Sequence, residues 1–189
     1  MIAQIRPALV MILLFTLVTG LAYPLAVTGV AGLALPFQAG GSLIKGAGGQ
    51  VIGSSLIAQG FAAPRYLHPR GSAAGNGWDA TASSGSNLGP MDKKLIVRVA
   101  TDAAALAKEN PGTPIPADAV TWSGSGLDPD ISPDNAAFQA PRIARTRDLP
   151  LDTVNAVIAA HTTHPLFGIF GQPAVDVLAV NLALDGTAR

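Results

Sequence analysis

The chain contains no cysteine among its 189 residues. That removes disulfide staples, thiolate nucleophiles, cysteine-based zinc sites and any thioester-linked lipid. Charge is scarce too. Asp, Glu, Lys and Arg make up 13% of the chain and cancel to a formal net charge of zero. With no basic stripe, nothing points to nucleic acid. Catalytic signatures are missing as well. No G-x-x-x-x-G-K-[ST] occurs, which excludes a self-sufficient P-loop ATPase, and neither H-E-x-x-H nor G-x-S-x-G is present.

What charge there is avoids the amino-terminal end. Between Arg6 and Lys45 no charged side chain occurs, and Pro7 to Phe37 reads PALVMILLFTLVTGLAYPLAVTGVAGLALPF. A bilayer core needs about 20 apolar residues as helix, so this run is long enough to span it. It exceeds the apolar stretch of a signal peptide, and Phe37-Gln38-Ala39 is a poor cleavage site. The expectation is an uncleaved anchor over 1–37 and one soluble domain over 38–189. Pro24 should kink the helix. Gly20, Gly29 and Gly32, with Thr16, Thr19 and Thr28, suit packing against other membrane helices. Arg6 before the span and Lys45 after it lean slightly towards a cytoplasmic amino terminus and an extracytoplasmic tail.

The tail is expected to be a single small α/β domain with long ordered loops. Val51–Phe61 suits either strand or short helix. Pro90–Asn110 reads as a helix, with Pro90 in its first turn, Asp92 at its positive end and Leu95, Val99 and Leu106 on one face. Pro150–Ala160 repeats that pattern with Leu151, Val154, Val157 and Ile158. Val175–Leu184 alternates as a strand would, through Val175, Val177, Leu182 and Leu184. Two long stretches, 66–90 and 120–147, read as turn-rich loops. Trp78, Leu88, Trp122, Leu127, Ile131 and Phe138 within them favour burial, so these loops should be ordered.

Each chemical motif in the tail is incomplete. Ser42-Leu43-Ile44-Lys45 matches S-x-x-K but lacks the K-T-G and S-D-N elements that accompany it. A hydrolase would have to draw on Ser123 or Ser125, His161 and Asp128, without a nucleophile elbow. His161 and His164 are too few ligands for zinc. Ser84, Gly85, Ser86 and Asn87 could offer hydroxyls and amides to a phosphate ahead of the following helix, yet a turn capped by Asn87 accounts for the same residues. Asp118, Asp128, Asp130 and Asp134 fall where no Lys or Arg occurs between Lys108 and Arg142. The simplest reading pairs this acidic surface with the cluster Arg142, Arg145 and Arg147. No catalytic and no metal-binding residue is expected.

Longer stretches carry a resemblance. Arg6-Pro7-Ala8-Leu9, Gly41-Ser42-Leu43-Ile44, Val51-Ile52-Gly53-Ser54 and Gly85-Ser86-Asn87-Leu88-Gly89-Pro90 come in order behind the anchor. SGSGLDPDISP from Ser123 to Pro133, Ala140-Pro141-Arg142-Ile143-Ala144-Arg145, and Gly171-Gln172-Pro173-Ala174-Val175 through Asn181-Leu182-Ala183-Leu184-Asp185 follow. Along almost its whole length the chain resembles the KdpC family, the C subunit of the Kdp potassium-transporting P-type ATPase. Ser84 stands where that family commonly has a second glycine, and Gly71 where a proline is usual after Arg70.

The resemblance implies a single-pass protein of the bacterial inner membrane, partnered by a channel-like potassium-binding subunit and a P-type ATPase subunit. It implies no cofactor of the chain's own, ATP and potassium being handled by the complex. Two roles follow: an extracytoplasmic cap that stabilises assembly at the channel entrance, or a cytoplasmic chaperone that assists ATP binding. For the cap, Gly85, Ser86, Asn87, Ser125, Gly126 and Asp128 are the interface candidates, their glycines allowing close backbone approach to a partner. For the chaperone, Ser84 to Asn87 are the nucleotide candidates.

Overall fold

A computed structural model describes residues 2–187 and divides the chain into two compact units, Met1–Ile52 and Gly53–Arg189. In the first, α1 (Ile5–Leu17) and α2 (Tyr23–Ala34) join through a π-turn at Val18–Ala22 into one continuous helix of 30 residues, Ile5–Ala34. Its length of about 45 Å exceeds a bilayer core, and its length and apolarity fit a membrane span. Pro24 explains the π-turn. Its ring lacks an N–H and would clash with the carbonyl four residues back, and the wider turn, in which Tyr23 N–H donates to Val18 O, relieves this. Beyond the span come the one-turn α3 (Pro36–Ala39), then β1 (Leu43–Lys45) and β2 (Val51–Ser54), a two-stranded sheet.

The second unit holds α4 (Lys93–Glu109), α5 (Ala117–Val120), β3 (Asp130–Ile131), α6 (Pro133–Arg147), α7 (Leu151–Ala160), β4 (Thr162–Thr163), β5 (Ala174–Asp176) and α8 (Val177–Thr187). The sheet is small and antiparallel, ordered β3-β5-β4, with Ile131 opposite Val175 and Asp130 opposite Asp176. Its core joins Ile131, Ala136, Ala140, Ile143, Val154, Ile158, Val175, Val180 and Leu184, together with Leu67 from the long loop. An anchor helix followed by a small α/β domain is the architecture the sequence implies.

Several local expectations are corrected. Residues 177–187 form a helix, not the continuation of a strand. Val177, Val180, Asn181 and Leu184 recur at helical spacing and are all buried, and Asp176 accepts a hydrogen bond from Ala179 N at 2.9 Å. The stretch 120–147 is a loop only to Ser132. That residue caps α6 by accepting from Asn135 N at 3.0 Å, and Pro133 occupies the first helical position. Pro141 interrupts only the bond to Ala137, an exposed residue whose carbonyl solvent can satisfy. The helix expected from Pro90 starts at Lys93, and its cap is Asp92, bonded to Lys94 N at 2.8 Å, rather than Asn87. In Val51–Phe61 only the first four residues are strand.

Candidate functional site

The segment from Pro64 to Ser72 has no regular structure, and side chains do the work that a neighbouring strand would do. On α6, Gln139 accepts from His68 N at 2.8 Å and donates to His68 O at 3.1 Å. On α8, Asn181 does the same for Leu67, at 2.7 and 2.9 Å. Arg142 donates to the carbonyls of Pro64 and Tyr66 and pairs with Glu109 at 2.6 Å. Arg147 donates to Arg65 O at 2.7 Å and pairs with Asp185 at 2.8 Å. Buried backbone polar groups must find partners; two carboxamides supply them at Leu67 and His68, and two guanidiniums hold the more exposed carbonyls of Pro64, Arg65 and Tyr66. Arg142 and Arg147 therefore serve the chain's own backbone and the carboxylates of Glu109 and Asp185, not the acidic loop. Gln139 and Asn181 escaped the sequence reading. The signal that could have found them is a carboxamide on the apolar face of a helix.

The clipped segment carries the two candidate loops into contact. Ser72 Oγ, buried, donates to Gly126 O at 2.6 Å and accepts from Trp78 N and Ala74 N. Ser84 N and Ser83 Oγ both donate to Ser125 O, and Ser123 N donates to Gly71 O. Gly126 has φ +70°, and a Cβ there would lie 2.7 Å from Ser84 O and 2.8 Å from Ala74. A Cβ on Gly85 would lie 2.7 Å from Gly124 O. The close approach that the glycines permit is thus made between the two loops of one chain. The acidic residues are held locally as well. Asp128 pairs with Arg70 at 3.1 Å, and Asp118 accepts from Ser132 and Asn135.

The other candidates do not come together as chemistry would require. Ser125 Oγ accepts from Leu127 N, His161 Nδ1 lies 2.9 Å from Val157 O, and Asp128 is engaged by Arg70. Ser42 is buried at φ 51° and Lys45 ends β1, so the pair lacks the one-turn helical spacing its chemistry needs. Among the described residues no group of three or more His, Cys, Asp or Glu is placed to hold a metal. At Ser84–Asn87 the following helix already has a carboxylate, Asp92, at its N-terminus, where a phosphate would be repelled. A cavity of about 430 Å³ lies beside the clip, lined by Phe61, His68, Trp78, Asp102, Trp122 and Gln139 among others. Burial, and then the charge of Arg142, hold the His68 pKa below its ordinary value, against the pull of Ala63 O and Glu109.

Residues 5–186, almost the whole chain and both loops, match the model of the family described as KdpC, K+-transporting ATPase, c chain. The chain belongs to the KdpC family. Curated relatives named potassium-transporting ATPase KdpC subunit agree along almost their full length. That of Caulobacter vibrioides is 63% identical over 185 residues, covering 98% of this chain and 94% of the relative. That of Beijerinckia indica is 55% identical over 187 residues, with the same coverage. That of Cereibacter sphaeroides is 54% identical over 185 residues, covering 98% of each. A KdpC chain is a subunit of the potassium-transporting ATPase and not by itself an enzyme. Clip, double loop and span all lie within the matched residues.

Proposed function

We propose that the chain is the anchored accessory subunit of an ATP-driven potassium-uptake complex, with a tail that caps the extracytoplasmic entrance of the channel-like subunit. The observation that carries this reading is the union of a family match over residues 5–186 with a tail whose polar groups are spent on holding its own loops rigid. A cap needs a fixed shape more than a reactive group. Gly85 and Gly126 then act at one remove: they fix the double loop, and Ser86, Asn87, Ser125 and Asp128 are what that loop offers to a partner. Potassium and ATP stay with the partner subunits, and the cap needs no cofactor of its own.

Orientation tests the proposal. The chain has no native cysteine, so a single one reports without background. Ser123 is buried and would mislead, whereas Ala156 on α7 is exposed. Ala156→Cys in intact cells should react with a membrane-impermeant maleimide. Reaction only after lysis would place the tail in the cytoplasm and remove the cap. A second test is recovery of the channel-like and ATPase subunits with the tagged chain after gentle extraction; recovery of the chain alone from cells expressing both would also overturn it.

A further inference from the structure

Between β4 and β5 the chain makes a tight apolar turn, Leu166-Phe167-Gly168-Ile169-Phe170. Its four large side chains are 64%, 82%, 77% and 67% exposed in chain order. Such a cluster at one tip is unlike the scattered apolar residues normal on a soluble surface. Nor is the turn a loose excursion. Leu166 N donates to Phe170 O at 2.9 Å and Phe170 N to Leu166 O at 3.0 Å. Gly168 N and Ile169 N donate to Pro165 O and Leu166 O within the same tip. Phe167 sits at φ 55°, left-handed space that an aromatic residue rarely takes. A held, strained, outward-facing phenylalanine is a cue to function.

We infer that this tip inserts into the interfacial region of the bilayer that the chain's own anchor is long and apolar enough to cross. Three observations choose lipid over a protein surface. First, the backbone N–H groups of Leu166, Gly168, Ile169 and Phe170 are satisfied within the turn and Pro165 has none, so little unpaired polarity enters the apolar layer. Second, no Asp, Glu, Lys or Arg lies between Asp152 and Asp176, so no ionic group is dragged out of water. Third, the tip consists of hydrocarbon side chains alone, with no side-chain group to make the hydrogen bonds and ion pairs that a specific protein interface carries. The span confines the tail to the membrane surface, where weak insertion becomes effective because it is intramolecular. One weak anchor gives marginal binding and two give stable attachment. The inference rests on the anchor alone; it holds on either face of the membrane and does not depend on capping.

The test uses the full chain in phosphatidylcholine vesicles. Ile169→Cys, labelled with an environment-sensitive fluorophore, is compared with labelled Ala156→Cys, in vesicles with and without brominated acyl chains. Bromolipid should quench the label at 169 several-fold more than that at 156, and a water-soluble quencher should show the reverse order. Adding phosphatidylglycerol should change neither, since the tip carries no cationic group. Phe167→Ser with Phe170→Ser should return the label at 169 to water while leaving the unfolding midpoint of the tail unchanged. Equal quenching at 169 and 156 by both agents overturns the inference. Shielding of 169 that appears only when the other ATPase subunits are reconstituted assigns the tip to a protein partner and overturns it too.

Discussion

The double loop and the apolar tip are both glycine-containing connections between regular elements, and they reverse what composition alone implies. The double loop, built from residues such as Ser72, Ser123, Ser125 and Gly126, is polar in sequence, yet Ser72 and Ser123 are buried. The tip is apolar in sequence, yet its four large side chains lie uncovered on the surface of the tail. Burial follows hydrogen-bond satisfaction as much as hydrophobicity. A serine whose hydroxyl both donates and accepts costs little to bury, while a leucine on a convex turn has nothing to be buried against. One region spends most of its chemistry inward, on holding the surface it offers to a partner; the other leaves its chemistry unspent.

The strongest way to break this comparison is Gly126→Val. The left-handed φ and the contacts at 2.7–2.8 Å leave no room for a β-branched side chain. The expected loss is about 3 kcal/mol or more, read as a large fall in the unfolding midpoint of the full chain in detergent. A stable variant that merely fails to assemble would mean that the glycine faces a partner after all. Next is Asn181→Ala. It strands Leu67 N–H and C=O in a buried site, at about 1–3 kcal/mol for each group left unpaired. Denaturant unfolding should show the loss, and a neutral result would mean that the clip does not hold the loop.

The sequence disclosed the span, the α/β class and α7 because each rests on a local pattern: an uncharged run, or apolar residues at helical spacing. Of the six large apolar residues expected to favour burial there, Leu127, Ile131 and Phe138 are buried, the last two on β3 and α6, and Trp78, Leu88 and Trp122 are half-buried. It concealed α8, where apolar residues satisfy both periods until Asp176 is recognised as a cap. It concealed α6 behind Pro133 and Pro141, although Ser132-Pro133 is itself a helix start. A carboxamide on an apolar helix face could mark Gln139 and Asn181, but what they pair with was not legible. Gln139 and Asn181 bind residues 71 and 114 positions away in sequence, and no local pattern carries such a pairing.

A smaller effect sharpens the picture of the scaffold. His68 is held below its ordinary pKa of 6.5 by burial and then by Arg142. Above pH 6.5 the ring is neutral folded and unfolded, and contributes no pH dependence. Below 6.5 the unfolded chain takes up the proton first, so stability falls as pH falls until the folded pKa is passed. The unfolding midpoint should therefore drop between pH 7.5 and pH 5.5, and His68→Asn should flatten that limb. An unchanged slope in the variant would show that His68 is free to protonate in the fold.

The smallest expected effect has the opposite sign. Asp130 and Asp176 face each other across β3 and β5. Burial, then Asp176 and Asp128, raise the Asp130 pKa above its ordinary 3.8. A raised folded pKa means that the fold disfavours the charged carboxylate, so its ionisation destabilises the fold. That cost fades as pH falls through the folded pKa, where the native carboxyl takes up its proton. Asp130→Asn should thus stabilise the tail at pH 7.5, by about 0.2–1 kcal/mol for relief of a like-charged cross-strand pair, and the gain should shrink in acid. Because His68 and Asp130 move stability in opposite directions with acid, the double variant separates them. A loss on Asp130→Asn would mean that the fold favours the carboxylate, and that the repulsion across β3 and β5 is outweighed within the tail itself.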